Sequence, residues 1–460
     1  MVQNKTMGKY ELDYHITPPK GLLNDPNGLI QFNGVYHVFY QWNQNETNHT
    51  TKSWGHVTSK DLIQWTNQPV ALEPNDWFDK DGCYSGSALS YENKLYLFYT
   101  GNVRNEKNER ESYQCLAVSE DGINFEKKGP IIHQPIGYTA HIRDPKVWQT
   151  DNNDWWMILG AQKENLTGDT LIYHSTNLTD WVCKGSLMDQ KDEFGYMWEC
   201  PDLVHFENKS VFIFSPQGLT SKKDEFNNIY HSGYLTGEFT KFGKFKPDNH
   251  SFKELDRGFD FYAPQTFKDN NARVILFGWM GVMEPEVEAA IPTIQDGWVH
   301  NLTIPRELSY SDGLLIQQPV TELKRLRQAS PRITIAKANE SYRLPTVQNE
   351  ILLNWEKTAG SFEFQIRKEV SVDYKEESRR IKVTRTNWLT GNRESRAVTL
   401  KKPLVQMQLF LESSTLELFI NNGEEVFSLR YFTTTEVNTL DMNSCTLGKE
   451  PEVTFYTLKK

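Results

Sequence analysis

"VYHVFYQW" (35–42) is the stretch on which the fold turns. Its aromatic and β-branched residues read as a strand. The same pattern returns four times, as "KLYLFYTG" (94–101), "DWWMILGA" (154–161), "SVFIFSPQ" (210–217) and "RVILFGWM" (273–280). Aligned on Phe39, Phe98, Ile158, Phe214 and Phe277, the copies step by 59, 60, 56 and 63 residues. Each follows a turn ("NG", "EN", "DNND", "ENK" and "DNNA"), and ahead of the turn lies another short apolar run such as "GLIQF" or "PKVWQ". Behind the first four copies comes a further match, whose aromatics Trp65, Phe125, Trp181 and Phe239 step by 60, 56 and 58 residues. A unit of about four strands in roughly 60 residues, repeated five times, predicts an all-β, five-bladed β-propeller over residues 1–310.

The residues that open each repeat fall in phase as well. Asp25, Ser85, Asp144, Glu199 and Ala263 precede their anchors by 14, 13, 14, 15 and 14 positions. Each therefore lies at the entrance to the first strand of its blade. In a propeller that strand is innermost, so equivalent positions converge on one end of the central channel. The converging segments are "LLNDPNG", "CYSGSA", "HIRDPKVW", "MWECPDL" and "FYAPQT". They bring together three carboxylates, with Arg143 beside one and Trp198 beside another. Such clustering perturbs pKa values and marks a functional site.

Composition narrows the chemistry. The 460 residues carry a formal charge of −10, which leaves no basic footprint for nucleic acid. No apolar run is long enough to span a bilayer, and the N-terminus lacks a signal-peptide core. The five cysteines (83, 115, 183, 200 and 445) are scattered, odd in number and without a C-x-x-C pair, as in a reducing compartment. A soluble cytoplasmic protein is expected. No EF-hand loop, metal-spaced His/Cys cluster, phosphate loop or G-x-S-x-G elbow occurs, so no metal and no cofactor is expected. Aromatics make up 13 % of the chain, with 13 Trp, which suits the stacking of sugars.

Three carboxylates in an aromatic funnel suit glycoside hydrolysis, where one acid protonates the leaving oxygen and another attacks or activates water. Glu199, between Trp198 and Cys200, is expected to have a raised pKa, as a general acid needs. Asp25, in a polar turn rich in amide donors, is expected to stay ionised, as a nucleophile needs. Asp144 is then free to bind sugar hydroxyls. A non-catalytic, sugar-binding propeller is the alternative of another class.

"NDPNG", "FYQWN", "WGH", "SGSA", "RDPKVW", "ECPDL", "YAPQ" and "GWM", in this order, resemble glycoside hydrolase family 32, the β-fructofuranosidases. The resemblance runs from about His15 to "LTIPREL" (302–308), then weakly through a C-terminal β-sandwich. It implies that Asp25 forms a covalent fructosyl-enzyme with overall retention, that Glu199 is acid and base, and that Asp144 stabilises the transition state with Arg143 in support. It places Asn24, Gln41, Trp54, Tyr84, Ser85, Tyr262 and Trp279 in the fructose pocket. Leu22 and Leu23 stand where the family usually carries Trp-Met, at the position of a substrate contact. "GYTAHIRDPKVW" and "GFDFYAPQT" are most similar to the bacterial sucrose-6-phosphate hydrolases. The implied partner is a small saccharide (sucrose 6-phosphate, sucrose or a short fructan), and the same acids would serve a fructan hydrolase or fructosyltransferase. His141, Arg104 and Lys163 are candidates for a 6-phosphate contact by loop position. Nucleic acid and membrane are not expected partners, and the chain is a monomer or homodimer.

Beyond 310 the five-fold phase ends. Residues 311–330 read as a strand, a turn and a short amphipathic helix, a linker between domains. From 331 to 460 alternation returns, with a hairpin around "NNGEE", and predicts a β-sandwich. This domain carries no clustered acids. A structural or dimer-contact role suits it better than sugar binding.

Overall fold

A computed structural model describes residues 8–150, 154–189, 194–207 and 209–460. The turns expected at 151–154 and 207–209 lie partly outside the described residues. Five sheets of four or five strands are followed by two sheets of six. The first strands of the five blades are Gly21–Phe32, Cys83–Tyr91, Tyr138–Gln149, Met197–Phe206 and Phe261–Lys268. Each abuts the first strand of the next blade, and the fifth abuts the first. The ring is therefore closed, as the repeat predicts. The five anchors lie in the second strands and are fully buried. They pack between blades, which is why one apolar residue recurs at this phase in every unit.

A short parallel pairing of Trp298–Val299 with Gly21–Leu22 reinforces the closure. The strand that donates it arrives by an insertion after the second strand of blade 5. That insertion carries a helical turn, Pro285–Glu288, and a 3-10 turn, Pro292–Asp296. It splits the third strand of the blade, so that Asn301–Leu302 and Arg306–Ser311 both pair with Val274–Met280. This interruption explains why the second aromatic match stops after four copies. It also corrects the expected boundary. Leu314–Pro319 pairs with Arg306–Ser311 as the outer strand of blade 5. The connection to the second domain is thus much shorter than 311–330, and its helical part is the 3-10 turn Thr321–Leu326.

The second domain is a β-sandwich of two six-stranded sheets around one apolar core. The hairpin Thr415–Ile420 with Glu425–Arg430 forms as predicted and faces the propeller. Its Phe419 and Val426 share a buried cluster with Leu302, Ile304 and Val320. The polar part of this interface is fully buried. The Arg306 guanidinium donates to Glu417 at 2.6 Å, to Asp256 at 3.0 Å and to Gln317 at 2.9 Å. His15 sits between Glu412 and Glu417, with Nε2 2.9 Å from Glu417. Burial alone would lower the His15 imidazole, but hydrogen bonds to Glu412 and Glu417 outweigh it and raise the pKa to about 9.

A buried ion pair broken on one side leaves an uncompensated charge and costs about 3–5 kcal/mol. His15→Gln is expected to lower the melting temperature most at acid to neutral pH. The folded pKa is raised above the ordinary 6.5, so the stabilisation is complete below pH 6.5 and is lost as pH rises through about 9. The difference between wild type and variant, read by thermal melts from pH 6 to 9, should narrow across that window. A difference that stays constant would overturn the assignment of charge to this histidine.

Candidate active site

All five first strands carry a β-bulge at the same place. The register slips between Leu23 and Pro26, Tyr84 and Gly86, Arg143 and Lys146, Glu199 and Asp202, and Tyr262 and Gln265. A regular strand sends successive side chains to opposite faces, and an extra residue breaks that alternation. Two consecutive positions per blade therefore reach the channel mouth. The outer ring is Asn24, Tyr84, Arg143, Glu199 and Tyr262. The inner ring is Asp25, Ser85, Asp144, Cys200 and Ala263. At three of the five bulges the inner residue, Asp144, Cys200 or Ala263, holds positive φ (63°, 46° and 49°). The rings correct the phase read from sequence, because Cys200, not Glu199, is the equivalent of Asp25 and Asp144. Glu199 shares its position with Arg143 and Tyr262.

All five outer-ring residues line a cavity of about 860 Å³, together with Asp25, Asp144, Gln41 and Trp279. Asp25 accepts from Ser85 Oγ at 2.8 Å, Gln41 Nε2 at 3.2 Å and Asn24 Nδ2 at 3.1 Å. Asp144 accepts from the Cys200 amide at 2.9 Å. Glu199 accepts from Arg143 Nη2 at 2.6 Å and Nε at 3.1 Å on one oxygen. Its other oxygen accepts from Tyr262 Oη at 2.5 Å and Gln217 Nε2 at 2.8 Å. Ser85 lies beneath the cavity floor and reaches it through Asp25.

The charges respond to this wiring. Burial pushes the Asp144 carboxyl up to about 7 against the pull of Arg143, and the charges of Glu199 and Asp25 add to the rise. Burial also raises Asp25, opposed by its bonds from Ser85 and Asn24 and helped by the Glu199 charge. Burial would raise Glu199 too, but Arg143 and the hydrogen bonds of Tyr262, Arg143 and Gln217 hold it below the ordinary range. The donors expected around Asp25 are present but burial outweighs them, and the Glu199 direction is opposite to the one its sequence neighbours suggest. The reason is that Trp198 points away from Glu199 into the core, where its Nε1 donates to Phe194 O at 2.7 Å. What surrounds Glu199 is a guanidinium from the adjacent blade.

Three expected contacts lie elsewhere. Trp54 is fully buried in the core between blades, with Nε1 donating to Tyr84 O at 3.0 Å, and does not line the cavity. Leu22 and Leu23 are also fully buried, Leu22 in the closing seam with Val299 and Ile291. The bulge begins at Asn24, so the residues before it obey ordinary alternation and pack inward. Of the phosphate candidates, His141 lines the cavity. Arg104 is exposed and donates to Asn108 O, and Lys163 lies 3.4 Å from Asp169, and neither lines it.

Several cavity residues escaped sequence reasoning. Lys52 and Arg110 stand at the heads of third strands, and Gln217 at the end of a second strand. In an antiparallel blade these ends share the mouth with the start of the first strand, so the repeat phase contains their signal. Glu288 has no such signal, since it comes from the insertion in blade 5. It bridges His49 at 3.0 Å and His300 at 2.7 Å, three groups whose donor atoms lie within 4.8 Å of one another.

A propeller whose channel mouth gathers three carboxylates, a guanidinium and an aromatic wall has the make-up of a glycoside hydrolase. The model for the N-terminal domain of glycosyl hydrolases family 32 matches residues 15–319, and that for the C-terminal domain matches 322–455. The chain belongs to glycosyl hydrolase family 32. It is 46 % identical over 426 residues to a sucrose-6-phosphate hydrolase of Bacillus subtilis, covering 91 % of this chain and 88 % of the relative. A sucrose-6-phosphate hydrolase of Lactobacillus gasseri superposes with a TM-score of 0.89 at 30 % identity, over 98 % of this chain and 94 % of the other. The Bombyx mori GH32 β-fructofuranosidase superposes with a TM-score of 0.87 at 32 % identity, over the same shares.

Asp144→Asn keeps the acceptor for the Cys200 amide and removes the charge. The wild-type carboxyl is raised above its ordinary 3.8, so its contribution to stability is complete below about pH 3.8 and is lost as pH rises through about 7. The variant is therefore expected to melt above wild type at pH 8, with the margin shrinking toward pH 5. A variant that melts lower at pH 8 would sink this account of the cluster.

Proposed function

We propose that the enzyme hydrolyses the β-D-fructofuranoside bond of sucrose 6-phosphate, and of sucrose less well, with retention of configuration. The observation that carries this reading is one cavity in which Asp25 and Glu199 stand in different hydrogen-bond settings beside Asp144. The names of the Bacillus and Lactobacillus relatives support the phosphorylated substrate. A phosphorylated disaccharide is delivered by phosphorylating uptake, which favours the cytoplasm as the place of work. No helix among the described residues is long and apolar enough to cross a membrane.

In the first step an Asp25 oxygen attacks the anomeric carbon, the bond to the leaving hexose breaks, and the Glu199 proton goes to the departing oxygen. In the second, Glu199 takes a proton from water, the hydroxide attacks the same carbon, and the ester to Asp25 is released. The wiring suits this exchange. Burial holds the Asp144 carboxyl up near 7, while Arg143, Tyr262 and Gln217 hold Glu199 low, so before substrate binds a proton favours Asp144 over Glu199. Sugar hydroxyls donating to Asp144 favour its anion, and that charge lifts Glu199 toward the protonated form. Once Asp25 becomes an ester its charge is gone, and Glu199 falls back to the base needed for the second step.

Glu199→Gln is expected to lower kcat by about 10²–10⁴-fold on sucrose 6-phosphate. The loss should be far smaller on β-D-fructofuranosyl fluoride, whose leaving group needs little help from an acid. Asp25→Asn should fail on both substrates. Transfer to methanol should yield methyl β-D-fructofuranoside, read by NMR. Full activity in either variant, or the α-anomer as product, would refute the mechanism. A kcat/KM higher on inulin than on both disaccharides would refute the substrate.

A further inference from the structure

Arg110 stands in the cavity wall with no anionic partner among the described residues. It is half-buried, at the head of the third strand of blade 2. Its guanidinium lies over the Tyr84 ring at 5.7 Å and has no hydrogen bond or ion pair to any described residue. Arginine is rarely withdrawn from water unless it is paired. The chain, at −10, has acids to spare, yet none is supplied here. Arg143, the neighbouring guanidinium, is by contrast committed to Glu199.

The surroundings point the same way. His141 feels the charge of both arginines, and its Nδ1 accepts from Arg143 Nη1 at 3.0 Å. That contact puts the ring proton on Nε2, which is left as a donor. Arg110, His141 and Arg143 all line the cavity, close enough to feel one another's charge, and Arg143 joins this cationic flank to Glu199. A general acid sits on the side of the leaving group. The cationic flank is therefore where the leaving hexose must lie, outside the fructosyl subsite.

We propose that Arg110, with His141 Nε2–H beside it, binds the phosphate of a phosphorylated leaving hexose and sets the preference for it over the neutral sugar. The proposal rests on the sucrose 6-phosphate reading above. A guanidinium fork matches two phosphate oxygens, and Tyr84 keeps its plane in place when the cavity is empty.

The test compares kcat/KM on sucrose 6-phosphate and sucrose for wild type, Arg110→Met and Arg110→Lys. In Arg110→Met the ratio of the two should fall by about 10- to 100-fold, mainly through KM for the phosphorylated substrate. Arg110→Lys, which keeps the charge and loses the fork, should fall in between. A ratio that stays within about twofold of a wild type that does prefer sucrose 6-phosphate overturns the role of Arg110 and leaves the substrate reading intact. A wild type without that preference overturns both. Should the variants not fold, product inhibition of wild type decides: glucose 6-phosphate should compete at least tenfold more tightly than glucose, and equal inhibition overturns the proposal.

Discussion

The bulge at the mouth of each inner strand is the constraint on which the rest of this molecule depends. A propeller blade of regular strands would offer one residue per blade to the channel mouth. The extra residue makes it two, and the second ring is what allows neighbours in sequence to act together. Asn24 donates to Asp25, Arg143 stands beside Asp144, and Glu199 lies next to the Cys200 amide that holds Asp144. Four of the five bulges are followed by proline, which fixes φ where the ladder has no hydrogen bond to lose. The tight fit extends to the strands behind. A Cβ on Gly160 would stand 2.1 Å from the Trp198 carbonyl, one residue from Glu199. The acid is thus positioned by the packing of blade 3 on blade 4 as much as by its own strand.

The same geometry makes the site electrostatically expensive. Asp25, Asp144, Glu199, Glu284 and Glu288 line one cavity with Lys52, Arg110 and Arg143, and Arg143 is spent largely on Glu199. Burial lowers the Lys52 ammonium to about 8, although Asp25 and Glu288 pull it up. Part of the negative excess is met by the Asp144 carboxyl, which burial raises to about 7. Stability is recovered away from the chemistry. Arg306, wholly buried, has two carboxylates and an amide within hydrogen-bond reach, and none of them faces the cavity.

The sequence carried much of this, and where it fell short the cause is physical. The five anchors are legible because each fills the same gap between blades, so spacing survives even where residue identity drifts from Phe to Ile. Asp25, Asp144 and Glu199 are legible because phase alone brings them to one mouth. The pKa direction of Glu199 was not, because Trp198 is adjacent in the chain yet faces the other side of the sheet. Cys200, 14 residues before its anchor, was in phase with Asp25 and Asp144, and Glu199 took its place in the reading because the carboxylate is the more telling side chain. Leu314–Pro319 was read as linker because the insertion that delivers Glu288 and His300 pushes the outer strands of blade 5 out of step.

Leu22 and Leu23 show how a departure from the family wording is absorbed. Gly21 and Leu22 pair with Trp298–Val299, the strand that closes the ring. Leu22 clusters with Val299 and with Phe432 of the sandwich, and Arg430 of the sandwich lies over the Trp298 ring at 5.6 Å. Blade 1, the insertion of blade 5 and the second domain therefore meet in one seam. Asp25 begins three residues beyond that seam, on the same strand. A sandwich without acids of its own in the cavity can still govern the chemistry, since any loosening of the seam reaches the proposed nucleophile through three residues of backbone. That is a physical reason for the second domain to stay welded to the propeller by buried charge and apolar contact together, rather than tethered by a flexible linker.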